Sequence, residues 1–275
     1  MALVLGVDGG GTGCRAAVAR VGGPVLGRGA AGPANISIDL EGAAANILAA
    51  CEAALREAGG GEVRAAVLGL AGANVTAQAA RLQGMLPFGD VRIVSDAVIA
   101  AKGALGAEDG ILALLGTGSV FAVQQGGAIR LHGGRGFLMG DEGSGAVLGR
   151  ALLRAALRAD DGFRAMTPLL AQVLGELGGA EAAVAFALTA RPADFARFAP
   201  RLLDSDDAAA VEIVGAEVTE VAEILRALQA DALPPVTFIG GLGPFYAGRL
   251  AGRFAVRAAQ GSALDGALAL AGVLA

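Results

Sequence analysis

"LGVDGGGTGCRAAVAR", residues 5–20, decides how this chain is read. An apolar run ends on one carboxylate, Asp8, followed by Gly9, Gly10, Gly11 and Thr12, and then by a second apolar alternation. A glycine turn after a strand offers successive backbone N–H groups to phosphate oxygens. This turn has neither the Gly-Lys-Ser/Thr ending of a P-loop nor the spacing of the dinucleotide fingerprint. The plain alternative is a hairpin, because glycine is tolerated wherever φ is positive and the chain has 45 glycines. On the phosphate reading, the turn amides and the Thr12 hydroxyl hold phosphate oxygens. Asp8 then holds Mg²⁺ through water, since hard cations prefer oxygen ligands.

Working outward, residues 2–7, 14–20 and 24–30 predict three successive antiparallel strands. Residues 39–61 have helical apolar spacing and a glycine stop. Residues 64–70 and 91–96 predict buried strands, with a helix between them from Thr76 to Met85. The order is β-β-β-α-β-α-β, a half built on a mixed sheet. The pattern then restarts with "GILALLGTGS" (110–119), "VFAVQQ" (120–125) and "AIRLHG" (128–133). Helices are expected from Gly143 to Asp160, Thr167 to Leu188 and Asp206 to Ala230, then a strand at 235–241 and a closing helix at 263–275. Two meanders of similar order and little identity predict an internal structural duplication.

The second half repeats the glycine signal. Gly116, Thr117, Gly118 and Ser119 form a turn after a buried strand, and Gly240 and Gly241 end another strand. Two such hairpins suit a triphosphate clamped from both sides, and the third edge suits an adenosine. Asp96 follows a strand and opens a helix. On local grounds it reads first as an N-cap, and otherwise as a general base at the strand's C-terminal end. "GDEGSGA" (140–146) places Asp141 and Glu142 at a helix start, as caps or as ligands for sugar hydroxyls or an amine. Asn35 lies in a loop, where the plain reading is turn chemistry. "GRGAAG" (27–32) matches a phosphate-binding pattern but leads into Pro33 and a loop, so it is read as chance.

Composition narrows the classes. With 21 basic against 26 acidic residues the net charge is −5, which argues against a nucleic-acid surface. Two cysteines without a CxxC, and one histidine, His132, argue against a zinc site. The N-terminal apolar run stops at Asp8, too short for a signal peptide, and no run is long enough to span a membrane. A soluble cytoplasmic protein is expected. Aromatics are only 4% with no Trp, so the core must pack Leu, Val and Ala with close backbone approach.

Taken together, "GVDGGGTGCRA", "GPANI", "LAGA" (70–73), "SDA" (95–97), "GTGS", "GGRGF" (133–137), "GDEGSGAVLG" and "FIGG" resemble the sugar kinases of the actin/hexokinase/Hsp70 ATPase superfamily. Within it the chain is similar to the BadF/BadG/BcrA/BcrD-type ATPases, on their glucosamine and N-acetylglucosamine kinase branch. The resemblance covers nearly the whole chain. It implies an α/β protein of two actin-like (ribonuclease H-like) domains with mixed five-stranded sheets, and ATP and an amino sugar in the interdomain cleft. The domains would be 1–105 plus 263–275, and 106–262 with a helical insertion, in a homodimer.

Carried over, Asp8 lies near Mg²⁺; Gly10, Gly11 and Thr12 are the first phosphate motif; and Gly116, Thr117, Gly118 and Ser119 are the second, with Thr117 reaching the sugar. Gly240 and Gly241 lie in the adenosine motif. Asp96 matches the catalytic base for the sugar's 6-hydroxyl. Asn35, Gly72, Arg135 and Asp141 fall at sugar-binding positions. One departure is Arg135, where N-acetylglucosamine kinases usually carry an aromatic residue. An acetyl group wants an apolar wall, so the departure tilts the expectation to glucosamine. Among rivals, an electron-transfer activator needs iron–sulfur cysteines that Cys14 and Cys51 do not supply by spacing. An Hsp70-like module needs a peptide-binding domain, and a pseudo-kinase should have lost Asp96.

Overall fold

The computed structural model describes residues 2–231 and 233–275. Leu3–Gly9 (β1), Cys14–Arg20 (β2) and Val25–Ala31 (β3) form the expected antiparallel meander. Val63–Leu70 (β4) and Asp90–Ser95 (β5) extend it in parallel, giving the order β3-β2-β1-β4-β5. Alternation along β1 sends Leu3, Leu5 and Val7 to one face and Val4 to the other. The first face is covered by Leu40–Glu57 (α1), with Thr76–Gln83 (α2) beside it. The second is covered by Asp96–Leu105 (α3) and the closing helix, which is named below.

The small-residue composition acts through contact distance. A Cβ at Gly29 would stand 2.0 Å from the Ala50 carbonyl oxygen of α1, and one at Gly27 would stand 2.2 Å from that of Ala54. The "GRGAAG" stretch therefore serves helix docking. A Cβ at Gly103 would stand 1.8 Å from the Ser262 carbonyl oxygen.

The chain divides into two compact units. One takes the residues up to Gly110, Gln124–Arg130 and Ala258–Ala275; the other takes Ile111–Val123 and Leu131–Arg257. The second sheet comprises Gly110–Leu115 (β6), Ser119–Gln125 (β7), Ala128–Gly133 (β8) and, near its end, Val236–Ile239 (β9), in the order β8-β7-β6-β9. Four strands stand here where five were expected. The fifth place holds an isolated parallel bridge, Val236 to Val256, with Val236 N–H donating to the Ala255 carbonyl. Between Leu250 and Ser262 only Phe254 is buried, so that segment has no apolar face with which to build a strand.

Helices fill the rest of the second unit: Gly145–Asp160 (α4), Pro168–Leu177 (α5), Ala180–Thr189 (α6), Pro192–Ala196 (α7), Pro200–Leu203 (α8), Ala208–Gln229 (α9) and Gly243–Leu250 (α10). Ala263–Leu274 (α11) closes the chain, with Ser262 and Asp265 forming a capping box. The single helix expected from Thr167 to Leu188 is two, bent by 68°, because Gly178 and Gly179 sit at φ +91° and +100°. The short helices α7, α8 and α10 were not expected, although each carries a proline in its first turn. Among the described residues no single helix is long and apolar enough to cross a membrane.

Two glycine substitutions should move stability in opposite directions. Gly29→Ala drives a methyl group into the Ala50 carbonyl and should cost about 1–3 kcal/mol. Gly175→Ala, on the exposed side of α5 with nothing within 4 Å of the added carbon, should gain up to about 1 kcal/mol through helix propensity. Urea unfolding midpoints measure both, and midpoints shifting the same way would contradict the docking account.

Candidate functional site

In the first unit the site residues gather at the C-terminal edge of the parallel strands. Register pairs Asp8 with Gly69, and Leu70 with Ser95, so Asp8, Ala71 and Asp96 end neighbouring strands at one edge. The turn after β1 is seated by its carbonyls. Gly9 O accepts from Ala71 N–H at 2.8 Å, and Gly10 O from Ala34 N–H at 2.9 Å. Gly11 and Thr12 are exposed at the tip, and a Cβ at Gly11 would meet nothing within 4 Å. Asp8 forms an ion pair with Arg15 at 2.5 Å; the Asp8 side chain is 14% exposed and the Arg15 side chain 69%.

Asp96 is not the cap of α3. Ser95 is, its Oγ accepting from Ala97 N–H at 3.3 Å. Asp96 Oδ1 accepts from the same N–H at 2.9 Å and from the Ser95 hydroxyl at 3.0 Å. Asn35 and Gly72 meet. Asn35 Oδ1 accepts from the Ser37 N–H and hydroxyl, and a Cβ at Gly72 (φ +84°) would stand 2.8 Å from that oxygen. Ile36 N–H donates to Ala71 O, laying the Asn35 loop on the "LAGA" turn.

In the second unit three of the expected motifs are bonded together. Gly116 O accepts from Gly145 N–H at 2.8 Å, Thr117 O from Ala146 N–H at 3.1 Å, and Leu115 O from Leu242 N–H at 2.9 Å. A Cβ at Gly240 (φ +88°) would stand 2.3 Å from Leu115 O, so only glycine fits. Neither Asp141 nor Glu142 caps α4; Ser144 does, accepting from Val147 N–H at 3.2 Å. Asp141 precedes the helix at φ +62°, buried, its carboxylate lying against the Gly116–Ser119 turn, where a Cβ at Gly118 would stand 3.0 Å from Asp141 Oδ2. Burial pushes its carboxyl above the usual aspartate range, opposed by the backbone N–H groups of Ser119 and Gly136 and reinforced by Glu142.

Arg135 is exposed on the loop after β8. With Phe137, Leu138, Met139, Leu157 and Phe195 it lines a cavity of about 800 Å³. Arg150 donates to the Phe137 carbonyl and stacks 4.6 Å over its ring. This apolar wall was missed in the sequence, although "GFLM" (136–139) spells it. Glu217 on α9 was also missed; it accepts from Gly143 N–H at 2.9 Å. No local pattern marks one glutamate of a solvated helix as turned inward.

No group of three or more His, Cys, Asp or Glu side chains gathers as a metal cluster among the described residues. Cys14 and Cys51 are buried free thiols, each pushed up to about 12 chiefly by burial, and so are poorly disposed to bind a metal.

Known proteins share this architecture. Glucosamine kinase GspK of Vibrio cholerae serotype O1 is 32% identical over 247 residues, 86% of this chain and 84% of that protein. The N-acetylmuramic acid/N-acetylglucosamine kinase of Clostridium acetobutylicum is 30% identical over 172 residues, 58% of this chain and 55% of that one. The crystal structure of a candidate N-acetylglucosamine kinase from Chromobacterium violaceum superposes with a TM-score of 0.84 at 32% identity, covering 98% of this chain and 99% of that one. The sequence profile of the BadF/BadG/BcrA/BcrD ATPases matches residues 5–243, and the chain belongs to that family.

Proposed function

We propose that the chain is an ATP-dependent sugar kinase acting on the 6-hydroxyl of glucosamine, with Asp96 as general base and Mg-ATP as phosphoryl donor. The observation that carries the reading is Asp96 at the strand edge it shares with Asp8 and the glycine turn. Its described hydrogen bonds both go to Oδ1, which orients the carboxylate and leaves Oδ2 to accept the hydroxyl proton. Phosphoryl transfer needs an aligned nucleophile and charge-neutralising donors more than it needs covalent help. The tip amides of Gly11 and Thr12, with the Thr12 hydroxyl, supply such donors in the first unit. Thr117 and Gly118, whose turn is closed by Gly116 N–H on Gly118 O, supply them in the second, and the Gly240–Gly241 edge receives the adenosine.

Asp8 suits a cation of this kind: one carboxylate at a strand end, paired with a guanidinium exposed enough to swing away. Mg²⁺ takes one or two carboxylates and completes its shell with phosphates and water. When bound, it neutralises charge on the transferring phosphoryl group. Asn35 and Asp141 hold sugar hydroxyls. A second reading, N-acetylglucosamine, draws support from the apolar wall of Phe137, Leu138 and Met139 beside Arg135, which suits an acetyl methyl. The electron-transfer reading loses ground because both cysteines are buried in the first unit.

The deciding assay couples ATP consumption to glucosamine, N-acetylglucosamine, glucose, N-acetylmannosamine and no sugar. Glucosamine should give turnover, and Asp96→Asn should lower kcat by about 10²–10⁴, the usual contribution of a positioned base. No sugar stimulation in the wild type would sink the kinase reading. Asp141→Ala should raise the sugar KM at least about tenfold with little change in the ATP KM, as expected where a buried polar partner is lost. Equal rises in both would refute a sugar-ligand role. In the wild type, the sugar KM should climb on acidification above the range of an ordinary aspartate. Arg135→Phe should shift kcat/KM toward N-acetylglucosamine by about tenfold relative to glucosamine, the scale of one apolar contact. An unchanged ratio places Arg135 outside substrate selection.

A further inference from the structure

Asp141 sits on a loop with two left-handed residues, Asp141 at φ +62° and Gly143 at φ +74°. A non-glycine residue in that region is held there by its surroundings. One hold lies within the loop's own motif, Ser144 N–H on Asp141 O at 3.0 Å, and another is the packing of the Asp141 carboxylate against the Gly116–Ser119 turn, 3.0 Å from where a Cβ at Gly118 would stand. The third comes from outside. Gly143 N–H donates to Glu217 Oε2 at 2.9 Å, across 74 residues of chain. Gly143 has no room for a side chain; a Cβ would meet Val221 Cγ2 at 2.3 Å and the Tyr246 hydroxyl at 3.1 Å. The loop is therefore seated on α9 and α10 at a single amide.

We infer that Glu217 is a positioning residue for the sugar site: by gripping Gly143 it fixes Asp141 against the Gly116–Ser119 turn. This rests on the reading of Asp141 as a ligand of a sugar hydroxyl. The groups that face Glu217 are Glu220 on its own helix, Arg150 on α4, Glu142 on the loop and Tyr246 on α10. Burial pushes the Glu217 carboxyl above the usual glutamate range; Gly143 N–H and Arg150 oppose this, and Glu220 and Glu142 add to it. For an acid whose folded pKa is raised, ionisation costs stability as pH rises past the unfolded value. In its charged form the side chain thus burdens the fold while strengthening the bond to the loop, because a charge-assisted hydrogen bond is the stronger kind.

Glu217→Gln keeps the shape and removes the charge. Amide hydrogen exchange reads the loop without any sugar, at Gly143 and at Ser119 and Gly136, the backbone amides whose N–H groups favour the Asp141 carboxylate. All three should exchange about fivefold to tenfold faster in the variant at about pH 7, the difference between a charged and a neutral acceptor. That ratio should shrink on acidification as wild-type Glu217 takes up a proton. Tm should not fall, and the sugar KM should rise by a similar factor while the ATP KM stays within about twofold. Unchanged exchange at Ser119 and Gly136 would overturn the inference, as would a lowered Tm with both KM values moving together. If wild type phosphorylates no sugar, the proposed function fails separately, and exchange at those two amides still decides whether Glu217 holds Asp141.

Discussion

Direct contact between helix and strand backbones is the constraint on which the first unit depends. The carbonyl oxygens of Ala50 and Ala54 occupy the places where side chains of Gly29 and Gly27 would begin. On the opposite face a Cβ at Gly6 of β1 would stand 2.9 Å from Leu268 N of α11, while α3 and α11 meet each other backbone to backbone, with Ser262 O and Ile99 O where side chains of Gly103 and Gly266 would begin. With few large side chains, the chain gains dispersion contact by closeness instead of by bulk. Closeness also removes freedom. A helix that rests on a strand's own backbone cannot slide without a clash, so the strand ends stay in register, and Asp8, Ala71 and Asp96 are carried by those ends.

Both glycine turns are built on one physical plan. In the first, the carbonyls of Gly9 and Gly10 are spent inward on Ala71 and Ala34. In the second, Leu115, Gly116 and Thr117 spend theirs on Leu242, Gly145 and Ala146. Gly10 and Gly116 N–H bond inside their own turns, to Gly13 O and Gly118 O at 2.9 Å, so on the phosphate reading the amides left for an anion are those of Gly11 and Thr12 in one turn and Thr117 and Gly118 in the other. Such donors need no reorganisation when charge develops on a phosphoryl group.

Much of this was legible. The meander, α1 and the two glycine turns follow from period-2 runs and punctuation, which are local signals. What was not legible depended on partners distant in sequence. The fifth strand of the second sheet failed because Ala255–Arg257 has no buried face, a property of what packs there. The caps were misread by one to three residues: serines at 95 and 144 outcompeted the neighbouring aspartates, freeing those carboxylates for other bonds. Asp96 and Asp141 thus look like caps in sequence and are not caps in the fold. Glu217 could not be found locally, since its role is set by an amide 74 positions away.

If Arg135 and Asp141 act as proposed, selection of the sugar and grip on it are tied together in the second unit. Gly133, Gly134 and Gly136 all have positive φ, so the segment carrying Arg135 takes a path that side-chain-bearing residues rarely follow. The Gly136 backbone N–H favours the charged Asp141 carboxylate, and Phe137 carries Arg150 on its ring and carbonyl. Any shift of Arg135 to admit an acyl group or an ammonium must pass through Gly136, and so reaches the Asp141 carboxylate. Glu217 resists that shift from the far end of the loop. On the proposed reading, substrate choice depends on how firmly one loop is held at its two ends as much as on the charge of Arg135.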